Sequence, residues 1–192
     1  IPLLDMAYQG FDKGVEEDGK VIQLFVEAGG TLLIANSFSK SFSLYGERVG
    51  ALSIVSIKKE ESDCVLSQLK RIIRTSYSNP PMHGSEIVAT ILTTAELRKL
   101  WEEEISCMRI RIHEMRHTLV KILKNCGITQ DFDFVIKQSG MFSYSGLTRN
   151  QVRSLRNEFS VYAIETGRIC IAALNMRNVN YVATAIAEVL QN

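Results

Sequence analysis

The chain has 192 residues, a formal net charge of +1 and 46% hydrophobic residues, enough apolar material for one good core or two modest ones. So even a charge balance argues against nucleic acid or an anionic membrane surface as the main partner, and no stretch is apolar enough to cross a bilayer. Cys64, Cys107, Cys126 and Cys170 are scattered without metal-ligand spacing and no targeting segment opens the chain, so the thiols read as the reduced cysteines of a cytoplasmic protein.

Taken in chain order, Pro2-Leu3-Leu4 reads as an apolar strand ending on Asp5, with Tyr8 three residues further on. A helix is expected over about Glu17 to Ala28, then a buried strand from Thr31 to Ser37, framed by Gly29-Gly30 and the serine-rich turn Ser37-Phe38-Ser39-Lys40. Alternating strand and helix predict a mostly parallel sheet, whose strand ends would deliver Lys40 to the crevice where open α/β sheets bind ligands. A strand from Val49 to Ile57 and a helix from Glu60 to Arg74 follow, then the Pro80-Pro81 turn and a helical segment from Gly84 to Thr93. The next helix, from about Ala95 to Cys126, carries Leu97, Leu100, Trp101, Ile105, Met108, Ile112, Met115, Leu119, Ile122 and Leu123 at three-and-four spacing, which predicts one buried stripe. Its length suits an element that bridges two lobes. Beyond Gly127 the pattern predicts short strands at Phe134 to Lys137 and Met141 to Ser145, and a helix opened by Thr148 with Gln151 as a capping box. A strand from Ile169 to Ala173 and an amphipathic helix from Val179 to Leu190 complete a smaller α+β lobe.

Several side chains in this frame carry chemistry. Lys40 offers an amine able to form an imine with a carbonyl cofactor, and Ser37, Ser39 and Arg48 offer donors for a phosphate dianion. Asp5 at a strand end suits the nitrogen of a pyridinium ring, although an aspartate there is more often a turn former. Arg168 enters an apolar strand after Gly167 and needs an anion, either a bound carboxylate or a structural ion-pair partner. Arg74 closes a helix, where a cation also complements the dipole, and Phe142 sits in a Met-Phe-Ser-Tyr strand where an apolar residue is more often plain core. His83, His113 and His117 make no metal set, and Arg109, Arg111 and Arg116 around the last two suggest a basic, solvated helix face.

The segments Asp5-Met6-Ala7-Tyr8-Gln9-Gly10-Phe11, Ser37-Phe38-Ser39-Lys40, Leu44-Tyr45-Gly46-Glu47-Arg48-Val49-Gly50, Tyr77-Ser78-Asn79-Pro80-Pro81, Gly140-Met141-Phe142-Ser143 and Gly167-Arg168 share an order and separation with a known family. Through them the chain resembles the carboxyl-terminal half of a class I pyridoxal-phosphate-dependent aminotransferase, of the aspartate and aromatic amino acid aminotransferase branch. The resemblance implies an α/β fold in which residues 1–107 form the C-terminal part of the large PLP-transferase (fold type I) domain, with a mostly parallel sheet. Residues 108–192 would form the small α+β C-terminal domain, joined to the first by the long helix.

The same resemblance implies pyridoxal 5'-phosphate as cofactor, no metal, and amino transfer between an aromatic or dicarboxylic L-amino acid and a 2-oxo acid through a Schiff base on Lys40. Asp5 would face the pyridine nitrogen, Tyr8 the ring oxygen, and Ser37, Ser39 and Arg48 the phosphate, with support of Lys40 as the other role for Ser39. Arg168 would hold the substrate α-carboxylate beside Phe142. Arg74 would reach across a homodimer with shared active sites to a distal carboxylate. The chain is then expected to be a fragment, weak or inactive alone, whose upstream half completes the pocket. A competing reading is a non-catalytic aminotransferase-like module for dimerisation or ligand sensing, against which the intact Lys40, Asp5, Tyr8 and Arg168 set argues.

Overall fold

The computed structural model describes residues 1–191 and divides into two compact units, one spanning Ile1–Ser106 and the other beginning at Cys107. The first unit is built on three strands, β1 (Leu3–Asp5), β2 (Leu32–Ser37) and β3 (Gly50–Val55), hydrogen-bonded in that order. Between β1 and β2 runs the helix α1 (Val15–Glu27), and this crossover makes the two strands parallel, with Asp5 opposite Ala35.

The expectation of a mostly parallel sheet needs correcting at the next pairing. β2 and β3 are antiparallel, with Leu32 opposite Val55 and Ser37 opposite Gly50. A parallel return requires a long crossover element, and residues 38–49 contain neither helix nor strand, so the chain folds straight back along β2. Gly50 permits this close return, since a Cβ there would lie 2.6 Å from the Asn36 carbonyl oxygen.

The helices α2 (Lys59–Ser76), α3 (His83–Thr93) and α4 (Ala95–Asn125) follow, and α4 runs on through the division between the units. Glu16, Glu17 and Asp18 place negative charge at the N-terminus of α1, whose Gly14 cap offers no side chain. The first unit's fully buried apolar residues are few: Phe11, Leu32, Ile34, Val88 and Ile105. On α4 the predicted stripe is buried at Ile105, Ile112, Met115, Leu119 and Leu123, whereas Leu97 and Leu100 at its start are exposed.

The second unit holds α5 (Asp133–Lys137), β4 (Phe142–Tyr144), α6 (Arg149–Phe159), β5 (Arg168–Cys170), a 3₁₀ turn at Ile171–Ala173 and α7 (Val179–Gln191). β4 pairs antiparallel with β5, placing Phe142 opposite Cys170 and Tyr144 opposite Arg168. Residues 134–137, expected as a strand, are helical. Phe132 and Val135, three apart, are both buried, and the Asp131 carboxylate accepts the Asp133 N–H at 2.8 Å to start the turn. The strand expected to reach Ala173 stops at Cys170, where Ile171 turns inward and is fully buried.

The Thr148 capping box forms as anticipated: the Gln151 N–H donates to Thr148 Oγ1 and the Thr148 N–H to Gln151 Oε1. Val152, Leu155, Val179, Ala183 and Ile186 close α6 and α7 over a core. The basic solvated face expected on α4 is corrected at Arg116, whereas Arg111 and His117 are exposed. Arg116 is completely buried, and Arg111 donates to the carbonyl oxygens of Leu174 and Ala172. Among the described residues no helix is long and apolar enough to cross a membrane.

Candidate active site

β1 and β2 run parallel and end side by side, so Asp5 and Ser37, the last residue of each, mark one end of the sheet. After β1 the Met6 N–H donates to the Ala35 carbonyl at 2.8 Å, and Asp5 Oδ1 accepts the Ala7 N–H at 3.1 Å, which turns the chain toward Tyr8. Polar bonds then hold the turn. Gln9 Nε2 donates to the Val15 carbonyl, Asn36 Nδ2 donates to Gln9 Oε1, and the Asp18 carboxylate gathers the N–H groups of Gly10, Asp12, Lys13 and Gly14. Sequence reasoning passed over Asp18, Gln9 and Asn36. Asp18 standing four residues after Gly14 was the available signal, since a carboxylate in a first helical turn has bare N–H groups within reach.

After β2 the chain forms a cradle. Ser39, only 5% exposed, donates its N–H to Ser37 Oγ at 3.3 Å, and Arg48 Nη1 approaches Ser39 Oγ at 3.5 Å and the Tyr45 carbonyl at 3.2 Å. Arg48 takes a φ of 52°, an uncommon backbone state for a side chain of its size. Lys40 is half-buried, and its Nζ lies 4.6 Å from the centre of the Tyr8 ring, a cation–π contact.

The loop beyond Lys40 is anchored by aromatic rings. Phe38 meets Phe42 edge-on at 5.4 Å, Phe42 stacks on Trp101 at 4.6 Å, and Trp101 Nε1 donates to the Ser41 carbonyl at 2.8 Å. Trp101 thus does more than fill the stripe in which its spacing placed it. Beside this anchor a cleft of about 240 Å³ is lined by residues including Met6, Gln9, Asn36, Ser37 and Phe42.

Asp5 and Ser37 end the two strands, and Tyr8, Ser39, Lys40 and Arg48 belong to the connections that leave them. Arg74 is not joined to them by any described contact; it is exposed in the last turn of α2 and donates to Ser78 Oγ at 2.8 Å. Arg168 and Phe142 lie in the second unit, where the guanidinium carbon of Arg168 sits 3.9 Å from the Phe142 ring centre. Gly167 precedes β5 at a φ of 83°, and a Cβ there would lie 2.9 Å from the Leu147 carbonyl oxygen, so a glycine is required just before Arg168. Glu165 is engaged elsewhere, bonding Arg153 at 3.1 Å and pairing with Arg149 at 3.4 Å. These partners, Arg153 foremost, hold its carboxyl below the usual carboxylate range. Among the described residues Arg168 has no carboxylate partner, and no cluster of potential metal ligands occurs.

The family model for aminotransferase class I and II matches residues 1–186. The chain is 55% identical over 190 residues to the aspartate aminotransferase of Pseudomonas aeruginosa, an alignment covering 99% of the chain and 48% of that protein. It is 49% identical over 190 residues to the aromatic-amino-acid aminotransferase of Escherichia coli, again over 99% of the chain and 48% of the relative. A crystal structure of the Burkholderia pseudomallei aromatic-amino-acid aminotransferase, covalently bound to pyridoxal phosphate, superposes with a TM-score of 0.96 at 58% identity. That superposition covers 98% of the chain and 47% of the solved one. The chain therefore spans about half the length of the curated relatives it matches.

Proposed function

Because the chain belongs to the aminotransferase class I and II family, we propose that the intact protein is a pyridoxal-phosphate-dependent transaminase moving an amino group between an L-amino acid and a 2-oxo acid. The observation that carries this reading is the Lys40 amine set 4.6 Å over the Tyr8 ring, with the buried Ser39 before it in the chain approached by Arg48, and with Asp5 ending the strand that leads to Tyr8. The donor set fits the cofactor. Ser37 and Ser39 hydroxyls and the Arg48 fork suit a phosphate dianion, the Asp5 carboxylate suits a protonated ring nitrogen, and the Tyr8 phenol suits a ring oxygen. When bound, pyridoxal phosphate supplies a carbonyl carbon and an electron-accepting ring.

The chain's own residues would divide the remaining work. Lys40 is the amine available to hold the carbonyl and, as a free base, to move the proton at the substrate α-carbon. The Tyr8 ring restricts where the Lys40 ammonium sits, because a cation is favoured over the ring face. Burial of Ser39 keeps water away from its contact with Arg48, which strengthens that contact. Phe142 covers one face of Arg168 and leaves the in-plane N–H fork for a carboxylate. That Arg168 has no ion-pair partner among the described residues supports assigning that fork to the substrate. Arg74, exposed and held by a single serine, would meet the distal carboxylate of aspartate or glutamate in a partner copy, making a homodimer with shared sites. Both aspartate and aromatic donors fit, as relatives of both names match the chain equally fully, and the setting would be cytoplasmic.

Titrating the intact protein with pyridoxal phosphate should produce an absorbance band that Lys40→Ala removes, together with 2-oxo acid release from aspartate and phenylalanine. A band indifferent to Lys40→Ala would sink the assignment. A Lys40-dependent band without 2-oxo acid release would mark the non-catalytic module instead. Arg74→Ala should lower turnover of aspartate alone.

A further inference from the structure

Arg116 is wholly buried in the second unit, on α4, where Ile112, Leu119, Val120 and Leu123 at helical spacing from it are buried too, and no carboxylate accompanies it among the described residues. Its Nη1 donates to the Val135 carbonyl at 3.0 Å and to Ser143 Oγ, and its Nη2 donates to the carbonyls of Gly140 at 2.7 Å and Phe142 at 2.8 Å. Nε has no partner among the described residues. Burial lowers the pKa of this guanidinium, which records how poorly the surroundings solvate its charge. A hydrophobic side chain of similar volume would fill such a position at a smaller desolvation cost, so the arrangement is explained by what the bonds hold rather than by net stability.

What they hold is one continuous stretch. Val135 lies in α5, Gly140 lies in the turn after it at a φ of 78°, and Phe142 and Ser143 open β4. A single planar fork therefore fixes the entry into β4. From β4 the influence reaches Arg168 by two short routes: the Phe142 ring covers the Arg168 guanidinium at 3.9 Å, and Tyr144 is its neighbour across the strand ladder. Arg168 is itself exposed, so its long side chain would sample many rotamers without that ring.

We propose that Arg116 is a positioning residue for Arg168: by clamping the backbone carbonyls of Val135, Gly140 and Phe142 and the Ser143 hydroxyl, it sets the ring that orients the arginine assigned to the substrate carboxylate. The proposal rests on that assignment of Arg168. Misplacement of a binding group by about an ångström can cost on the order of a hundredfold in rate constants, and a looser clamp should cost part of that.

The test uses the intact, cofactor-loaded protein. Arg116→Lys keeps a charge and loses the fork, so KM for amino acid and 2-oxo acid should rise on the order of tenfold, with kcat within about twofold and the cofactor absorbance unchanged. Ser143→Ala removes one acceptor with little change of volume and should raise KM roughly two- to threefold in a protein that still folds. With Arg168→Lys as reference, the double variant Arg116→Lys/Arg168→Lys should show no further rise in KM, since a positioning residue acts only through its target. If Arg168→Lys raises KM while Ser143→Ala and any folded Arg116→Lys lower Tm and leave KM unchanged, Arg116 is structural only and the proposal is overturned. If Arg168→Lys itself leaves KM unchanged, the assignment of Arg168 fails first and takes the proposal with it.

Discussion

In the second unit, α6 and α7 close over Val152, Leu155, Val179, Ala183 and Ile186, none more than 2% exposed, whereas in the first unit α1 and α2 bury no residue and leave Leu24, Leu66 and Ile72 at least half exposed. The first unit's order near Lys40 comes instead from polar and aromatic anchors: Asp18 on four backbone N–H groups, Gln9 between Val15 and Asn36, and Trp101 on Ser41. The difference teaches that placing reactive groups and stabilising a fold are separable. The cradle proposed for an anionic cofactor is held by hydrogen bonds where apolar burial contributes little, while the other unit relies on packing.

The widest measure of that contrast is native-state hydrogen exchange on this chain. Amides in α6 and α7 should exchange about a thousandfold more slowly than those in α1 and α2, and equal protection would show that burial misjudges the first unit. Single truncations sharpen the same point. Leu155→Ala, at a fully buried position, should cost about 3 kcal/mol in denaturant unfolding, against less than about 1 kcal/mol for Leu66→Ala on the exposed face of α2. Asp18→Ala should cost about 2 kcal/mol in the same assay by orphaning several N–H groups, a loss that Asp18→Asn should recover in part.

The smallest effect concerns pH. Glu165 has a folded-state pKa below its unfolded one, so its contribution is present above the unfolded value and is lost as pH falls through the folded value. Asp133, lowered chiefly by its hydrogen bond to Lys124, behaves the same way. Lys124 is raised by that bond, so its share is lost only as pH rises through its folded value. All three are solvent-screened, so Tm should drop slightly on acidification, and Glu165→Gln should flatten part of the acid slope.

Long or strongly patterned features were legible in the sequence: α1, β2, the extent of α4, the Thr148 capping box, and the grouping of Ser37, Ser39, Lys40 and Arg48 after one strand. The antiparallel turn of β3 was not, because strand direction depends on the path of residues 38–49 and not on strand composition. α5 escaped because Phe134-Val135-Ile136 has the composition of a strand and one helical turn is too short for periodicity to speak. Arg116 was hidden among neighbouring arginines, although its spacing of four from Ile112 and Val120 and three from Leu119 had already put it on the buried side. The absence of a carboxylate partner for Arg168 among the described residues and the fork at Arg116 are matters of tertiary contact, which residue identity alone does not specify.

Trp101 is the single tryptophan of this chain, and its indole rests against Phe42 and bonds Ser41, the residue that follows Lys40. Light emitted by this chain on indole excitation thus originates beside the residue that follows Lys40. Any shift of that segment as the Lys40 side chain is acylated or alkylated alters the colour and lifetime of the emission, with no label attached.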